Sequence, residues 1–172
     1  MKLKKWALIA EIVGGIAIVV SLVFVGLQVR QSAQTNAQTL TQAVVSDYLA
    51  AVVALGDTHQ MACIFSQAIE DYEEITGAER VMFNNRVLAV FSTFQEMRAL
   101  REQGAFDPGI WRGFEGIVVS ALGSPGVRQW WSVRSHFFGE EFREYVDGTI
   151  RQTPVVEQRL FNDPSCTSRV TE

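Results

Sequence analysis

The stretch WALIAEIVGGIAIVVSLVFVGLQV, from Trp6 to Val29, is an apolar run that follows Lys2, Lys4 and Lys5. An α-helix rises about 1.5 Å per residue, so roughly 20 residues cross the hydrocarbon core of a bilayer. The run exceeds that length. It predicts a transmembrane helix that anchors the chain, with residues 1–29 as the anchor.

A secretory signal peptide is the first alternative, since it also has a basic start and an apolar core of about 7–15 residues. The run here is longer, and the residues that end it, Gln28-Val29-Arg30-Gln31, contain no small-residue cleavage site. The best candidate, Ser32-Ala33-Gln34, would place cleavage well past the apolar end. We therefore expect an uncleaved anchor in contact with membrane lipid.

Charge is distributed unevenly along the 172 residues. Residues 1–29 carry three lysines and one glutamate, a net charge of +2, whereas residues 30–172 carry twelve arginines and eighteen acidic residues, a net charge of −6. An acidic domain lacks the basic face that phosphate contacts require. Nucleic acid is therefore not an expected partner.

Basic residues beside a span favour the cytoplasmic side. Three lysines precede the apolar run and only Arg30 closely follows it. This asymmetry places the N-terminus in the cytoplasm and the domain in a periplasm or an equivalent compartment. Cys63 and Cys166 could form a disulfide there. Their spacing matches no metal or redox motif, however, and two buried thiols are the simpler interpretation.

The segment after the apolar run contains no Gly or Pro until Gly56. Apolar and small residues recur in it at three- and four-residue steps, which predicts one face of a helix: Ala33, Ala37, Leu40, Val44, Tyr48, Ala51 and Leu55. We predict a helix that runs unbroken from about Trp6 to Leu55, with residues 30–55 entering the domain. A flexible linker at residues 31–39 is the alternative.

Helix-start signals divide residues 56–152 into further helices. An Asp or Ser before Pro fits an N-cap followed by Pro at the first helical position, and Thr followed three residues later by Glu fits a capping box. The expected starts are at Asp57, Thr76-Glu79, Asp107-Pro108, Ser124-Pro125 and Gly139-Glu140. No segment alternates at period two. The predicted fold is all-α, an N-terminal transmembrane helix continuing into a bundle of about five further helices, with an irregular tail at 153–172.

Small residues recur on one face of the apolar run at Ala10, Gly14, Ala17 and Ser21. In lipid, such residues let helices approach closely and gain dispersion contacts. Glu11 lies beside them, where a carboxylate must stay protonated, reach the headgroups or find a partner. We predict that these five residues carry helix association. The alternatives are a headgroup-level Glu11, ion transfer by Glu11, or glycines that merely reflect the composition of membrane helices.

The same seven-residue register continues beyond the span as a polar seam, formed by Gln28, Gln31, Thr35, Gln38 and Gln42. Amide side chains both donate and accept hydrogen bonds. The polar seam is therefore predicted to pair copies of the chain or to line a wet axis.

Large aromatic residues dominate helical cores, because each ring buries a large area. Trp111, Trp130, Trp131, Phe137 and Phe142 are predicted to form the aromatic core of the domain. A ligand pocket or a surface contact is the alternative for some of these rings.

Signals for catalysis and metal binding are weak. His59 and Cys63 lie four residues apart on one helix face, with Glu70 further along, but a metal site needs three or four ligands. His136 is the only other histidine. No phosphate-cradling glycine loop, nucleophile elbow or zincin motif occurs. We expect no catalytic residues, no metal and no cofactor, and hence a protein that is not an enzyme.

Several short segments resemble a widespread, functionally uncharacterised family of small bacterial single-pass membrane proteins with a C-terminal all-helical domain. They are Glu11–Gly14, Gln28–Gln31, Ile75–Arg80, Gly104, Trp111, Ser124–Arg128, Trp131, Phe137, Phe142, Arg143 and Val146. The resemblance covers most of the chain, and its last block is the most specific. It implies a bacterial inner-membrane anchor and a helical domain, and no activity.

These patterns favour a non-enzymatic protein that forms homo-oligomers through its transmembrane helix and acts as a scaffold or binding partner. A larger membrane complex is a further candidate partner. One alternative is a membrane-anchored ligand-sensing domain with a pocket among the aromatic helices. Another is an oligomeric ion-conducting assembly or an enzyme that uses Glu11 or the face of His59 and Cys63.

Overall fold

The computed structural model describes residues 2–106, 108–156 and 166, without the side chains of residues 2–13, 34 and 37. Helix α1 runs unbroken over Lys2–Val53, which confirms the predicted continuous helix. It ends two residues before the predicted position, in a turn where the Gly56 amide donates to the Val53 carbonyl at 3.1 Å. The chain divides into two compact units, residues 1–40 and 41–172, so the division falls inside the segment expected to join anchor and domain.

Five further α-helices follow in the described residues: α2 (His59–Glu70), α3 (Gly77–Glu102), α4 (Pro108–Ala121), α5 (Pro125–Arg134) and α6 (Glu140–Gln152). A 3₁₀ turn, Ser135–Phe137, follows α5 directly. Neither unit contains a β-strand within the described ranges. The predicted all-α fold, a long apolar N-terminal helix followed by a helical domain, is confirmed. Residues 153–156 are non-helical, and most of the expected tail lies outside the described residues.

The cap of α2 differs from the prediction. Thr58, rather than Asp57, is the N-cap residue, and its Oγ1 accepts a hydrogen bond from the Met61 amide at 3.1 Å. Asp57 instead forms an ion pair with Arg86 of α3 at 3.2 Å. The Asp57 carboxylate therefore joins the start of α2 to α3.

The predicted capping box of α3 is also incomplete. Thr76 is the N-cap residue, but its side chain makes no capping hydrogen bond. Gly77 has a φ of +53°, in the left-handed region that favours glycine. The chain therefore enters α3 through a left-handed turn at Gly77, and no hydrogen bond from the Thr76 side chain caps the helix. Ser124 likewise caps α5 without a side-chain bond, and Pro125 takes the first helical position as predicted. Asp107 lies outside the described residues.

Aromatic rings form the centre of the domain, and they come from several helices. Phe94 of α3 stacks on Trp111 of α4, with ring centroids 5.2 Å apart, and Phe91 lies 5.2 Å from Trp130 of α5. Tyr48, near the end of α1, is fully buried against Phe94 and neighbouring rings. Each buried ring contributes about 1.5–3 kcal/mol through the apolar area removed from water.

Helices α2 and α5 cross at backbone contact, and Gly126 allows it. A Cβ atom at this position would lie 1.7 Å from the Ala68 carbonyl oxygen and 2.8 Å from the Ala68 carbonyl carbon. Only glycine fits there. Beside the crossing, Arg128 Nε donates to the Leu122 carbonyl at 2.6 Å, and its guanidinium also reaches the Thr153 carbonyl. Arg128 thereby connects the residue after α4 to the segment after α6.

Candidate functional site

The apolar part of α1 is exposed on every side. Side chains from Gly14 to Val29 are all exposed, and the large ones range from 52% for Val25 to 67% for Leu22. By length and composition this helix can cross a membrane: its most apolar 18-residue window has a mean hydropathy of 1.7, and none of that window is buried. The helix therefore offers a continuous apolar surface, which is the candidate functional site.

The predicted small-residue face lies within this surface. Gly14, Ala17 and Ser21 are exposed, and a Cβ atom at Gly14 would meet nothing within 4 Å. The Ser21 hydroxyl donates to the Ala17 carbonyl at 2.8 Å, so it is satisfied within its own helix. The predictions for Ala10 and Glu11 concern side chains outside the described part of the structure.

The polar seam follows on the same helix. Gln28, Gln31, Thr35, Gln38 and Gln42 are all exposed. The Thr35 hydroxyl donates to the Gln31 carbonyl at 3.1 Å. The seam is therefore a row of glutamine amides interrupted by a threonine whose hydroxyl is already bonded. Residues 31–46 contain no charged side chain, so this part of α1 is uncharged around its whole circumference.

Four of the five predicted aromatic core residues are buried: Trp111, Trp130, Trp131 and Phe142. The prediction for Phe137 is wrong, since this side chain is 56% exposed. A 3₁₀ turn advances about 120° per residue rather than 100°, which rotates Phe137 away from the core. Phe138 packs inside instead, with its ring 5.2 Å from Trp131.

One surface cleft of the domain is lined in part by polar groups that already have partners. The cleft between α3 and α6, about 400 Å³, is lined by residues that include Arg98, Glu102 and Glu140. The Arg98 guanidinium pairs with Glu102 at 2.9 Å and lies 4.3 Å above the Tyr145 ring. Its charge is therefore already used within the domain.

Among the residues that the structure describes, three buried side-chain donors have no hydrogen-bond partner: the Tyr48 hydroxyl, the Trp111 indole Nε1 and the Arg134 Nε. Burial raises the pKa of Tyr48 from 10.0 to about 12, so its hydroxyl stays protonated in ordinary conditions. Both rings contact Phe94. Helical spacing placed Tyr48 on the apolar face of the first helix, and the aromatic pattern placed Trp111 in the core, but neither signal showed that these polar atoms would lack acceptors.

Cys63 and Cys166 form a disulfide, which corrects the prediction of two separate thiols. The bond joins α2 to the C-terminal segment, and the Gln67 side chain adds a hydrogen bond to the Cys166 carbonyl at 3.2 Å. His59 Nε2 lies 3.7 Å from Cys63 Sγ. Cys63 is thus not a free nucleophile, and the described residues contain no group of three His, Cys, Asp or Glu that could hold a metal. The sequence contained one signal for this disulfide, namely that the chain has only two cysteines, Cys63 and Cys166.

No family model matches the chain, and no curated protein or solved structure matches it either. The resemblance to small bacterial single-pass membrane proteins therefore stays a prediction.

Proposed function

We propose that this chain is a single-pass protein of a bacterial inner membrane that associates with copies of itself through α1 and presents its domain as a scaffold or binding partner. The exposed apolar length of α1 carries the proposal. A surface helix of a globular protein buries one apolar stripe and keeps polar residues on the other side. From Gly14 to Val29, α1 is apolar and exposed all round, and lipid suits such a surface.

The disulfide supports a domain outside the cytoplasm. Disulfides persist in oxidising compartments such as the periplasm and are rare in the cytosol. Cys63 and Cys166 are 4% and 8% exposed, so their bond is shielded within the domain. The three lysines before the span favour the same orientation.

The small-residue face supports self-association. Between membrane helices, hydrogen bonds are worth only about 0.6–2 kcal/mol each, so packing must supply most of the affinity. A Cβ atom at Gly14 would meet nothing within 4 Å, and the small side chain of Ala17 is exposed, so a neighbouring backbone has room to approach. The Ser21 hydroxyl donates its hydrogen to the Ala17 carbonyl, so towards another copy it can act only as an acceptor.

The ligand-sensing and ion-conducting alternatives have less support. The charged group best placed in the cleft between α3 and α6 is Arg98, and it is paired with Glu102. For conduction, the polar seam would have to enclose an axis between copies. This arrangement requires the same self-association and adds a further condition to it.

Anchoring and orientation can be tested in cells. The full chain should remain with membranes after an alkaline carbonate wash and dissolve in detergent. A reporter active only in the cytoplasm, fused after Glu172, should stay silent, whereas a reporter active only in the periplasm should give signal. Release by carbonate would refute the anchor, and a strong cytoplasmic signal would reverse the orientation.

Self-association can be tested by single-molecule photobleaching in native membrane patches. Gly14→Leu should lower the fraction of associated copies more than Glu11→Gln, which keeps the shape and a hydrogen-bonding head. Gly26→Leu is the matched control, because Gly26 lies opposite Gly14 in the seven-residue register and is equally open. A wild-type protein that stays monomeric, or equal effects of the two leucine variants, would contradict the proposal.

A further inference from the structure

Two grooves on α1 occupy one continuous face. The apolar groove is lined by Ala17, Ile18, Ser21, Leu22 and Val25. The polar groove is lined by Gln28, Gln31, Ser32, Thr35 and Asn36. Counted in a seven-residue repeat, both grooves draw on the same four positions, those that form the seam of a coiled coil and the positions next to it. The face that is apolar within the span therefore continues as a polar face beyond it.

The polar part of this face is unusual for a helix surrounded only by water. Exposed polar helices usually gain stability from ion pairs three or four residues apart, and residues 31–46 contain no charge. Thr, Ser and Asn are among the weaker helix formers, and together they make up six of these sixteen residues. The segment is nevertheless helical throughout. A neighbouring helix that hydrogen-bonds its amide side chains would supply the missing stabilisation.

The hydrogen bonds of this segment indicate which groups remain for such a neighbour. Thr35 and Thr39 donate to carbonyls of their own helix, at 3.1 and 3.0 Å. The carboxamides of Gln31 and Gln38 lie on the same face and are exposed. Each carboxamide has two N–H donors and one carbonyl acceptor, so two of them can pair with each other.

We infer that the pairing of α1 continues out of the membrane along residues 28–38, as a parallel, in-register helix pair with a second copy of this chain. The inference rests on the proposed function, since anchoring gives every copy the same direction and depth. An uncharged face can oppose its own copy without repulsion, and it offers no opposite charge to a charged partner. Polar residues at seam positions weaken a coiled coil but specify its register. The polar seam would thus set alignment, while the span supplies affinity.

A charge-complementation experiment on the full chain in membrane patches tests this pairing. The double variant Thr35→Glu with Gln38→Glu should reduce the associated fraction at low salt by about fivefold, because like charges would face each other at two positions. Mixing it with the double variant Thr35→Lys with Gln38→Lys should restore association between unlike copies. The matched controls place the same charges at Ala33 and Leu40, exposed residues on the opposite side at the same depth. They should change little and show no preference on mixing.

A photoreactive residue placed at position 21, 38 or 40 separates this inference from the proposed function. Crosslinks between copies from positions 21 and 38, but not from 40, would support both. Crosslinks from 21 alone would overturn the polar pairing and leave association within the span intact. Crosslinks from 38 to another protein would also overturn it. A failure at every position, with wild-type monomers, would reject the proposed function itself.

Discussion

Residues 14–40 of α1 and the helical domain satisfy their side chains in opposite ways. In α1 the apolar side chains face outward, and hydroxyls such as that of Ser21 bond to their own helix. In the domain the apolar rings face inward, and polar groups bond between helices: Trp131 Nε1 donates to Asp147 at 2.7 Å. The first segment therefore depends on the medium around it, and the second on its internal contacts. Substitutions in residues 14–40 should therefore change the fraction of associated copies, whereas substitutions in the domain should change its free energy of unfolding.

Gly126→Ala should have the largest effect on unfolding. The added Cβ would lie 1.7 Å from the Ala68 carbonyl oxygen, and backbone atoms cannot move aside as a side chain can. We expect a loss of at least about 3 kcal/mol in the free energy of unfolding, measured by denaturant titration with tryptophan fluorescence.

Gly26→Ala is the control for this prediction, because its Cβ would meet nothing within 4 Å. It should change the domain's free energy of unfolding by less than about 0.5 kcal/mol. Equal losses of unfolding free energy from Gly126→Ala and Gly26→Ala would show that the domain does not depend on the close contact at Gly126.

Removal of the disulfide should be the next largest effect. The double variant Cys63→Ala with Cys166→Ala opens a link between residues 103 apart in sequence, which should cost about 2–5 kcal/mol of domain stability. Thermal or denaturant unfolding in detergent measures the loss, and the associated fraction in membranes should not change. A variant that unfolds like the wild type would show that the bond does not stabilise the domain.

Local signals in the sequence predicted the helices, but they could not predict contacts between residues that are distant in the chain. Helical spacing and Pro or Gly at helix ends predicted α1 and the start of α5, because these depend on neighbouring residues. The phase of one continuous helix also placed the polar seam on one face. The Cys63–Cys166 bond and the contact of Gly126 with Ala68 depend on how α2 meets distant segments, which no local pattern encodes. The prediction for Phe137 was wrong because the chain after α5 tightens into a 3₁₀ turn, which advances about 20° more per residue than an α-helix.

Alkaline pH should weaken the domain over a defined range. Burial raises the pKa of both Tyr48 and Tyr145 from 10.0 to about 12, and the Tyr145 hydroxyl also donates to Glu115 at 3.0 Å. The folded state then keeps protons that the unfolded chain releases above pH 10. Stability should be intact below pH 10, fall between pH 10 and 12, and level off above. The expected loss is up to about 1 kcal/mol per tyrosine at pH 11. Denaturation midpoints measured at several pH values test this prediction. A loss of stability outside pH 10–12 would show that groups other than these two tyrosines control it.

Tyr48→Phe should have the smallest effect, and it should be stabilising. The Tyr48 hydroxyl is buried without a hydrogen-bond partner, so its removal relieves a desolvation cost while the ring keeps its contacts with Phe94 and Phe114. We expect a gain of about 1 kcal/mol in the free energy of unfolding at pH 7, and a smaller loss between pH 10 and 12. Tyr145→Phe is the matched control: it deletes the bond to Glu115 and should cost about 1 kcal/mol. Removal of the hydroxyl should therefore raise the free energy of unfolding at position 48 and lower it at position 145. If Tyr48→Phe destabilised the domain as much as Tyr145→Phe, the Tyr48 hydroxyl would have an acceptor in the folded protein.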